Sequence, residues 1–154
     1  MRLIRGKISD RQILVNVGVG KFLPDIPGVQ SVSPSIEVKF HGYRALIDTG
    51  AQVSCLTPKA IFGSGLVSHS RKDVRGGDGI RRYRNYQFHL AFLFENTDVE
   101  VGGNLARDFF MLPGVQDAIG IGGNDQFDVI IGMNILAGCD FSFNRLGEFT
   151  LQIH

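Results

Sequence analysis

The residues best suited to chemistry lie in one short segment, residues 45–56, where an apolar run ends at Asp48-Thr49-Gly50 and a second apolar run follows. A carboxylate at the end of a buried strand is costly unless it is hydrogen-bonded or used. Thr49 and Gly50 place a hydroxyl, backbone N–H groups and permissive dihedral angles beside it. The simpler interpretation is an ordinary turn, because this tripeptide arises by chance in on the order of a few per cent of chains of this length. Alone, it only suggests a catalytic carboxylate.

Two further features follow this segment in a fixed order. Residues 76–79 (Gly-Gly-Asp-Gly) form a glycine-rich tip before a long strand, and residues 127–136 (Phe-Asp-Val-Ile-Ile-Gly-Met-Asn-Ile-Leu) combine an apolar strand, a glycine and a helical turn. Together with Leu-Ile-Asp-Thr-Gly-Ala at residues 46–51, they resemble the retropepsin-like aspartic proteases, which include retroviral proteases and bacterial relatives. The resemblance covers residues 34–143 and indicates a bacterial-type member.

This resemblance implies a mainly β, single-domain retropepsin-like acid protease fold with closed, barrel-like sheets and one or two short helices. It also implies an aspartic endopeptidase that cuts extended, largely hydrophobic segments of a polypeptide substrate. Such chemistry needs two carboxylates that share one proton. The sequence has one Asp-Thr-Gly in 154 residues, too few for two lobes, so the second Asp48 is expected from another copy in a homodimer. A monomer is expected to be inactive.

The resemblance also assigns roles to the residues of the first motif. Asp48 would be half of the dyad that activates a water molecule. Thr49 would bond to the loop of the partner and keep the two aspartates coplanar, and the Gly50 carbonyl would accept a hydrogen bond from the substrate backbone. These three are the predicted catalytic residues.

The predicted substrate-binding residues are Ala51, Gly76, Gly77, Asp78 and Gly79. The four flap residues would close over the peptide, exclude water and pair with its extended backbone. Pepsin-like enzymes have Ser at the position of Ala51, and its hydroxyl would stabilise carboxylate charge. The chain is therefore expected to work at less acidic pH than pepsin.

Other positions near the motifs carry structural expectations. Ile131 and Gly132 would pack under the catalytic loop. Retroviral members have an Asp–Arg ion pair where this chain has Gln52 and Met133, so another contact must fix the dimer. Asp128 could be mistaken for an intrachain dyad partner, but the family pattern favours a structural acceptor at the start of a strand.

The elements that position these motifs are predicted from alternation and turn residues. Residues 2–8 and 12–19 are expected to form a hairpin, followed by a Pro/Gly connector over residues 20–34. A strand at residues 36–41 would turn at Gly42 and return over residues 43–48. The domain prediction is thus one domain, residues 1–154, with the hairpin and connector at 1–33 and the protease core at 34–154.

Further along the chain, residues 80–94 form the longest strand candidate, with Tyr86, Phe88, Leu90, Phe92 and Phe94 on one face. Residues 141–153 are expected to form a second hairpin around a turn at 144–147. Residues 58–62 and 134–137 are candidate helical turns. Residues 95–126 are rich in glycine and carry no clear pattern.

Composition narrows the function classes. Sixteen Lys and Arg balance 15 Asp and Glu, which argues against a dedicated nucleic-acid binder. No apolar run approaches the ~18 residues of a membrane span, and the N-terminus lacks a signal-peptide pattern, so a cytoplasmic location is the default. Cys55 and Cys139 are expected to be small buried hydrophobic residues rather than a disulfide. No His/Cys spacing indicates a metal, and no cofactor is expected.

Two alternatives remain open. The fold could serve as a catalytically silent dimerisation or peptide-binding module, for which the intact Asp-Thr-Gly-Ala would be superfluous. A third function, nucleic-acid binding, would use the basic residues of the flap region, which are more simply a solvated hairpin edge. These basic residues are Arg71, Lys72, Arg75, Arg81, Arg82 and Arg84.

Overall fold

Two β-sheets and two short helices make up the fold. The computed structural model describes residues 2–22, 38–94 and 109–154. The strands are β1 (Arg2–Lys7), β2 (Leu14–Lys21), β3 (Phe40–Ile47), β4 (Ser54–Leu56), β5 (Ser70–Gly76), β6 (Gly79–Leu93), β7 (Phe109–Met111), β8 (Gln116–Gly120), β9 (Val129–Ile131), β10 (Cys139–Phe143) and β11 (Glu148–Ile153). The helices are α1 (Pro58–Gly63) and α2 (Met133–Leu136). The fold is mainly β, as predicted.

The larger sheet closes on itself as a six-stranded barrel. Its strands run in the order β2-β3-β9-β4-β8-β6, and β6 pairs back onto β2. Closure leaves no free edge within this ring, and the inward side chains fill its interior. Val17, Val19, Phe88, Phe92 and Val129 are completely buried there. The alternation of valines in β2 therefore reflects a barrel wall with one buried face.

The predicted N-terminal hairpin is wrong, although both of its strands exist. β1 pairs with β11 in a separate sheet of order β1-β11-β10, while β2 pairs with β3 and β6 in the barrel. Only Ser9 and Gln12 form a local bridge between the two segments. The N-terminal strands are thus parts of the two core sheets rather than a separate hairpin before residue 34.

The predicted turn at Gly42 is also wrong. β3 runs straight through this position, where Gly42 lies opposite Gly18 of β2. Residues 36 and 37 of the predicted preceding strand lie outside the described residues, and Val38 and Lys39 precede β3 without strand structure. The connector prediction fails at its start because β2 extends to Lys21, and residues 23–34 lie outside the described part.

Two other predictions are confirmed. β6 covers nearly the whole of the predicted long strand, and its alternate side chains from Tyr86 to Phe92 are buried. Phe94 is half-buried against the same core. β10 and β11 form the predicted C-terminal hairpin, in which Gly147 has a φ of 75° that suits glycine.

Two short helices, together with strands β7 and β8, make up the rest of the described fold. α1 starts after Thr57 with proline in its first turn, a position that needs no N–H donor, and α2 follows Gly132 directly. Both agree closely with the predicted helical turns. The uninterpreted residues 95–126 contain β7 and β8, of which β8 is a barrel strand; residues 95–108 lie outside the described part.

The structure contains two cysteines, Cys55 and Cys139, together with His, Asp and Glu side chains that are potential metal ligands. Both cysteines are free thiols, as expected. Cys55 is buried, whereas Cys139 at the start of β10 is only partly buried, packed against the edge of the core. Within residues 2–22, 38–94 and 109–154, no three His, Cys, Asp or Glu side chains come together as a metal site. None of the helices in these ranges is long and apolar enough to cross a membrane.

Candidate active site

Asp48 stands immediately after β3, where two barrel strands end together. β3 pairs in parallel with β9, and Ile47 lies opposite Ile131. The Asp48 N–H donates to the Ile131 carbonyl over 3.0 Å, which fixes the backbone at the point where the carboxylate leaves the sheet. Because Ile47 is buried and Asp48 is half-exposed, the chain passes from the core to the surface at this residue.

The loop after Asp48 turns sharply around its own carboxylate. The Gly50 N–H donates to Asp48 Oδ1 over 2.9 Å, and the Ala51 N–H donates to the Asp48 carbonyl over 3.3 Å. Thr49 and Gly50 are exposed. In the described part of the chain, Asp48 Oδ2 and the Thr49 hydroxyl have no hydrogen-bond partner. One side of the loop is thus held by the chain, and the other side faces outward.

Gly132 supports the loop from below. A Cβ built on it would lie 2.7 Å from the carbonyl carbon and oxygen of Val53 and 2.8 Å from the Ala51 oxygen. The next residue bonds to the same loop, because the Met133 N–H donates to the Ala51 carbonyl over 2.7 Å. The expectation that Ile131 and Gly132 pack under this loop is therefore confirmed.

A side-chain network that has no local signal in the sequence joins the elements of this support. Ser54 donates both its N–H and its hydroxyl to Asn134 Oδ1, each over 2.8 Å. The Gly132 N–H donates to Ser54 Oγ over 2.9 Å, and the Asn134 side-chain amide donates to the Asp117 carbonyl over 2.9 Å. Ser54 is completely buried. The network joins β4, β8 and α2, so the loop rests on three elements rather than on one.

Cys55 lies beneath the same loop. Burial, and to a lesser extent the nearby Asp48 carboxylate, raises the pKa of its thiol to about 11. The thiol is therefore protonated near neutral pH and carries no charge toward Asp48. It acts as a compact apolar filler and not as a nucleophile.

Asp128 is placed away from Asp48, as a structural acceptor. Its Oδ2 accepts the Arg44 N–H over 3.1 Å, and its Oδ1 lies 3.4 Å from Lys59 Nζ. It precedes β9 and lies beside Arg44, whereas Asp48 follows the other end of β3, about four residues or roughly 13 Å further along the strand direction. The two carboxylates cannot form an intrachain dyad, and the structural interpretation of Asp128 is confirmed.

The flap motif forms the tip of the β5–β6 hairpin. Gly76 pairs with Gly79, so Gly77 and Asp78 make a two-residue turn, and Gly79 has a φ of 108°. A Cβ at Gly76, Gly77 or Gly79 would meet no atom within 4 Å, which shows that the tip stands clear of its own chain. Ile80 beside the tip is 62% exposed. It was not among the predicted site residues, because the strand pattern does not reveal exposure.

Gln52 and its neighbours on α2 support the loop through their backbone. The Asn134 N–H donates to the Gln52 carbonyl over 3.1 Å, next to the bond that Met133 makes to Ala51. The Gln52 side chain and the Met133 side chain are exposed. The uncharged side chains of Gln52 and Met133 therefore leave the loop supported by backbone bonds within one chain.

Comparisons with known proteins agree with the architecture. No family model matches the sequence, and no curated protein is significantly similar. Among solved structures, the chain is similar to a retropepsin-like aspartic protease from Rickettsia conorii, with a TM-score of 0.57 and 13% sequence identity over 99% of this chain and 91% of that chain. At this identity the likeness concerns the fold, which is retropepsin-like as the sequence predicted.

Proposed function

We propose that this chain is an aspartic endopeptidase that works as a homodimer, with one Asp48 from each copy forming the catalytic dyad. The observation that carries the proposal is the two-sided environment of the Asp48 loop. Its inner side is fixed by Gly132 and Ser54, while Asp48 Oδ2 and the Thr49 hydroxyl find no partner in the described part of the chain. A second copy related by a two-fold axis would supply matching groups to both.

The chemistry would follow from two carboxylates held close together. Such a pair retains one proton, because two negative charges a few ångströms apart repel each other. The ionised Asp48 would take a proton from water as that water attacks the scissile carbonyl. The protonated Asp48 would hydrogen-bond the carbonyl oxygen and later give its proton to the leaving nitrogen.

The flap residues would hold an extended peptide above this pair. No atom of the chain lies within 4 Å of a Cβ built on Gly76, Gly77 or Gly79, so the tip leaves room for a peptide backbone to lie against it and pair as an added strand would. The partly exposed Ala51 and the exposed Ile80 would offer apolar contacts to such a substrate. The substrate class is therefore an extended polypeptide segment with largely hydrophobic side chains.

The Asp48→Asn variant tests the proposal. We expect casein cleavage to fall by about 100- to 10,000-fold, because an amide cannot take the proton from water. Pepstatin should inhibit the unchanged protein. The matched control is Asp140→Asn. It removes an exposed carboxylate of β10 that contacts His154, and it should leave cleavage unchanged. Activity that survives Asp48→Asn would overturn the proposal, and peptide binding without any cleavage by the unchanged protein would favour the silent binding module.

A further inference from the structure

A second concave surface lies between α1 and the base of the β5–β6 hairpin, and we call it the hairpin cleft. Its volume is about 480 Å³, and none of residues 48–51 lines it. The cleft is thus separate from the candidate active site. Its lining residues of interest are Phe62, Leu66, Val67, Tyr86, Arg71 and Arg84.

One wall of the hairpin cleft is apolar and open to water. Phe62 at the end of α1 is 81% exposed, and Val67 in the following turn is 60% exposed. The buried side chains of Leu66 and Tyr86 form the wall beneath them. Single exposed apolar residues are common, but here two large ones border the same concave surface. A ligand with an apolar group would remove this surface from water.

The opposite wall carries two arginines that face each other. Arg71 of β5 lies directly across from Arg84 of β6, and cross-strand neighbours have Cβ atoms about 5 Å apart. Like charges in this arrangement destabilise a hairpin. Neither arginine has a carboxylate partner among the described residues. The neighbouring arginines differ, because Arg82 pairs with Asp73 over 3.0 Å and Arg81 with Asp78 over 3.6 Å.

We infer that the hairpin cleft binds a polypeptide segment in which an acidic side chain lies next to a large apolar one. A carboxylate between Arg71 and Arg84 would relieve their repulsion and could accept paired N–H bonds from a guanidinium. The neighbouring apolar side chain would then cover Phe62 and Val67. Asp73 and Asp78 pair with Arg82 and Arg81, whereas Lys72 and Arg75 have no carboxylate partner among the described residues and lie outside the cleft. Nucleic acid would instead draw on all the unpaired cations of the hairpin, including Lys72 and Arg75, so an effect of Arg75 on binding would distinguish it from a peptide held in the cleft.

Peptide arrays test this inference. They use the Asp48→Asn protein, which should bind peptides without cutting them. Immobilised octapeptides would carry Asp or Glu next to Phe, Leu or Ile, and each would have a partner peptide with Asn or Gln instead. We expect acidic peptides to bind at least about fivefold more tightly than their amide partners, and the preference to weaken with salt. Arg71→Gln and Arg84→Gln should each reduce the preference severalfold, and Phe62→Ser should weaken binding of both peptide sets.

Arg75→Gln is the matched control, because Arg75 lies on the same strand and face as Arg71 but does not line the cleft. This variant should keep the acidic preference. Equal binding of acidic and amide peptides, an equal loss in Arg75→Gln, or tighter binding of a 12-nucleotide single-stranded DNA would each overturn the inference. Binding is read without catalysis, so failure here leaves the protease proposal standing, and failure of casein cleavage leaves this inference standing.

Discussion

The bond from the Gly50 N–H to Asp48 Oδ1 is, taken alone, the local hydrogen bond that aspartates make in many turns. The support beneath the loop distinguishes Asp48 from such a turn residue. The backbone of Met133 and the packed Gly132 hold the loop against the barrel, although the carboxylate is half-exposed. A fixed position for an exposed carboxylate is what catalysis requires and what a simple turn does not.

Ala51→Ser tests how the loop sets the working pH of the proposed protease. Ala51 follows the turn, and its N–H donates to the Asp48 carbonyl, so a serine hydroxyl there would lie near the carboxylate. A donated hydrogen bond favours the charged form of an acid. We therefore expect the optimum of the pH–rate profile for casein cleavage to move to lower pH. An optimum that stays in place or rises would contradict this explanation.

Cys55 makes the free energy of unfolding depend on pH in the alkaline range. Because burial raises the pKa of the thiol from 9.0 to about 11, the unfolded chain loses this proton first. Its contribution is complete below pH 9 and disappears as the pH rises through about 11. We expect the free energy of unfolding to fall by about 1 kcal/mol across this range, less than full linkage because water screens part of the charge. Urea titrations of Cys55→Ala should lack this component, and equal pH slopes in both proteins would contradict it.

At the scale of elements, α2 and the barrel act as one support for the loop. Gly132→Ala would force a methyl group against the backbone of Val53 and Ala51, which cannot move without breaking the Met133 bond. We expect a loss of roughly 2–3 kcal/mol in the free energy of unfolding, measured by urea denaturation. Gly122→Ala is the control, since its methyl group would meet nothing within 4 Å and should change stability by less than about 0.5 kcal/mol. Equal losses in the two variants would refute the proposed packing.

The predictable elements were those whose signal is local. β6 has four alternating apolar residues from Tyr86 to Phe92, and the β10–β11 hairpin has its turn glycine, so both could be predicted. The pairing of β1 could not be, because its partner β11 lies at the other end of the chain and alternation does not identify partners. The prediction of a turn at Gly42 failed for a related reason. Glycine is common in turns, but it also occurs within strands, and here Gly42 pairs with Gly18 of β2. The short strands β7 and β8 have too few residues for a period to emerge.

The candidate site divides in the same way. Asp48 and the glycines of the flap stand in contiguous motifs, which a single sequence displays directly. The Ser54–Asn134 bonds join residues 80 positions apart, and neither residue type is unusual where it stands. At the scale of the whole molecule, one question is left: which groups bind the outward side of the loop. Within the described residues, Asp48 Oδ2 and the Thr49 hydroxyl have no hydrogen-bond partner.

Mixing experiments test whether that partner is a second copy. If each active site needs Asp48 from two chains, then wild-type protein equilibrated with a tenfold excess of Asp48→Asn protein will sit mostly in mixed dimers with one aspartate. We expect casein cleavage per wild-type chain to fall about tenfold, and the specific activity of wild-type protein alone to decrease on dilution as dimers dissociate. An equal excess of an Asp48→Asn, Thr49→Ala double variant should inhibit less, because the Thr49 hydroxyl is proposed to bond across the interface. Undiminished activity in the presence of the excess would mean that one chain is sufficient and would rule out a shared dyad.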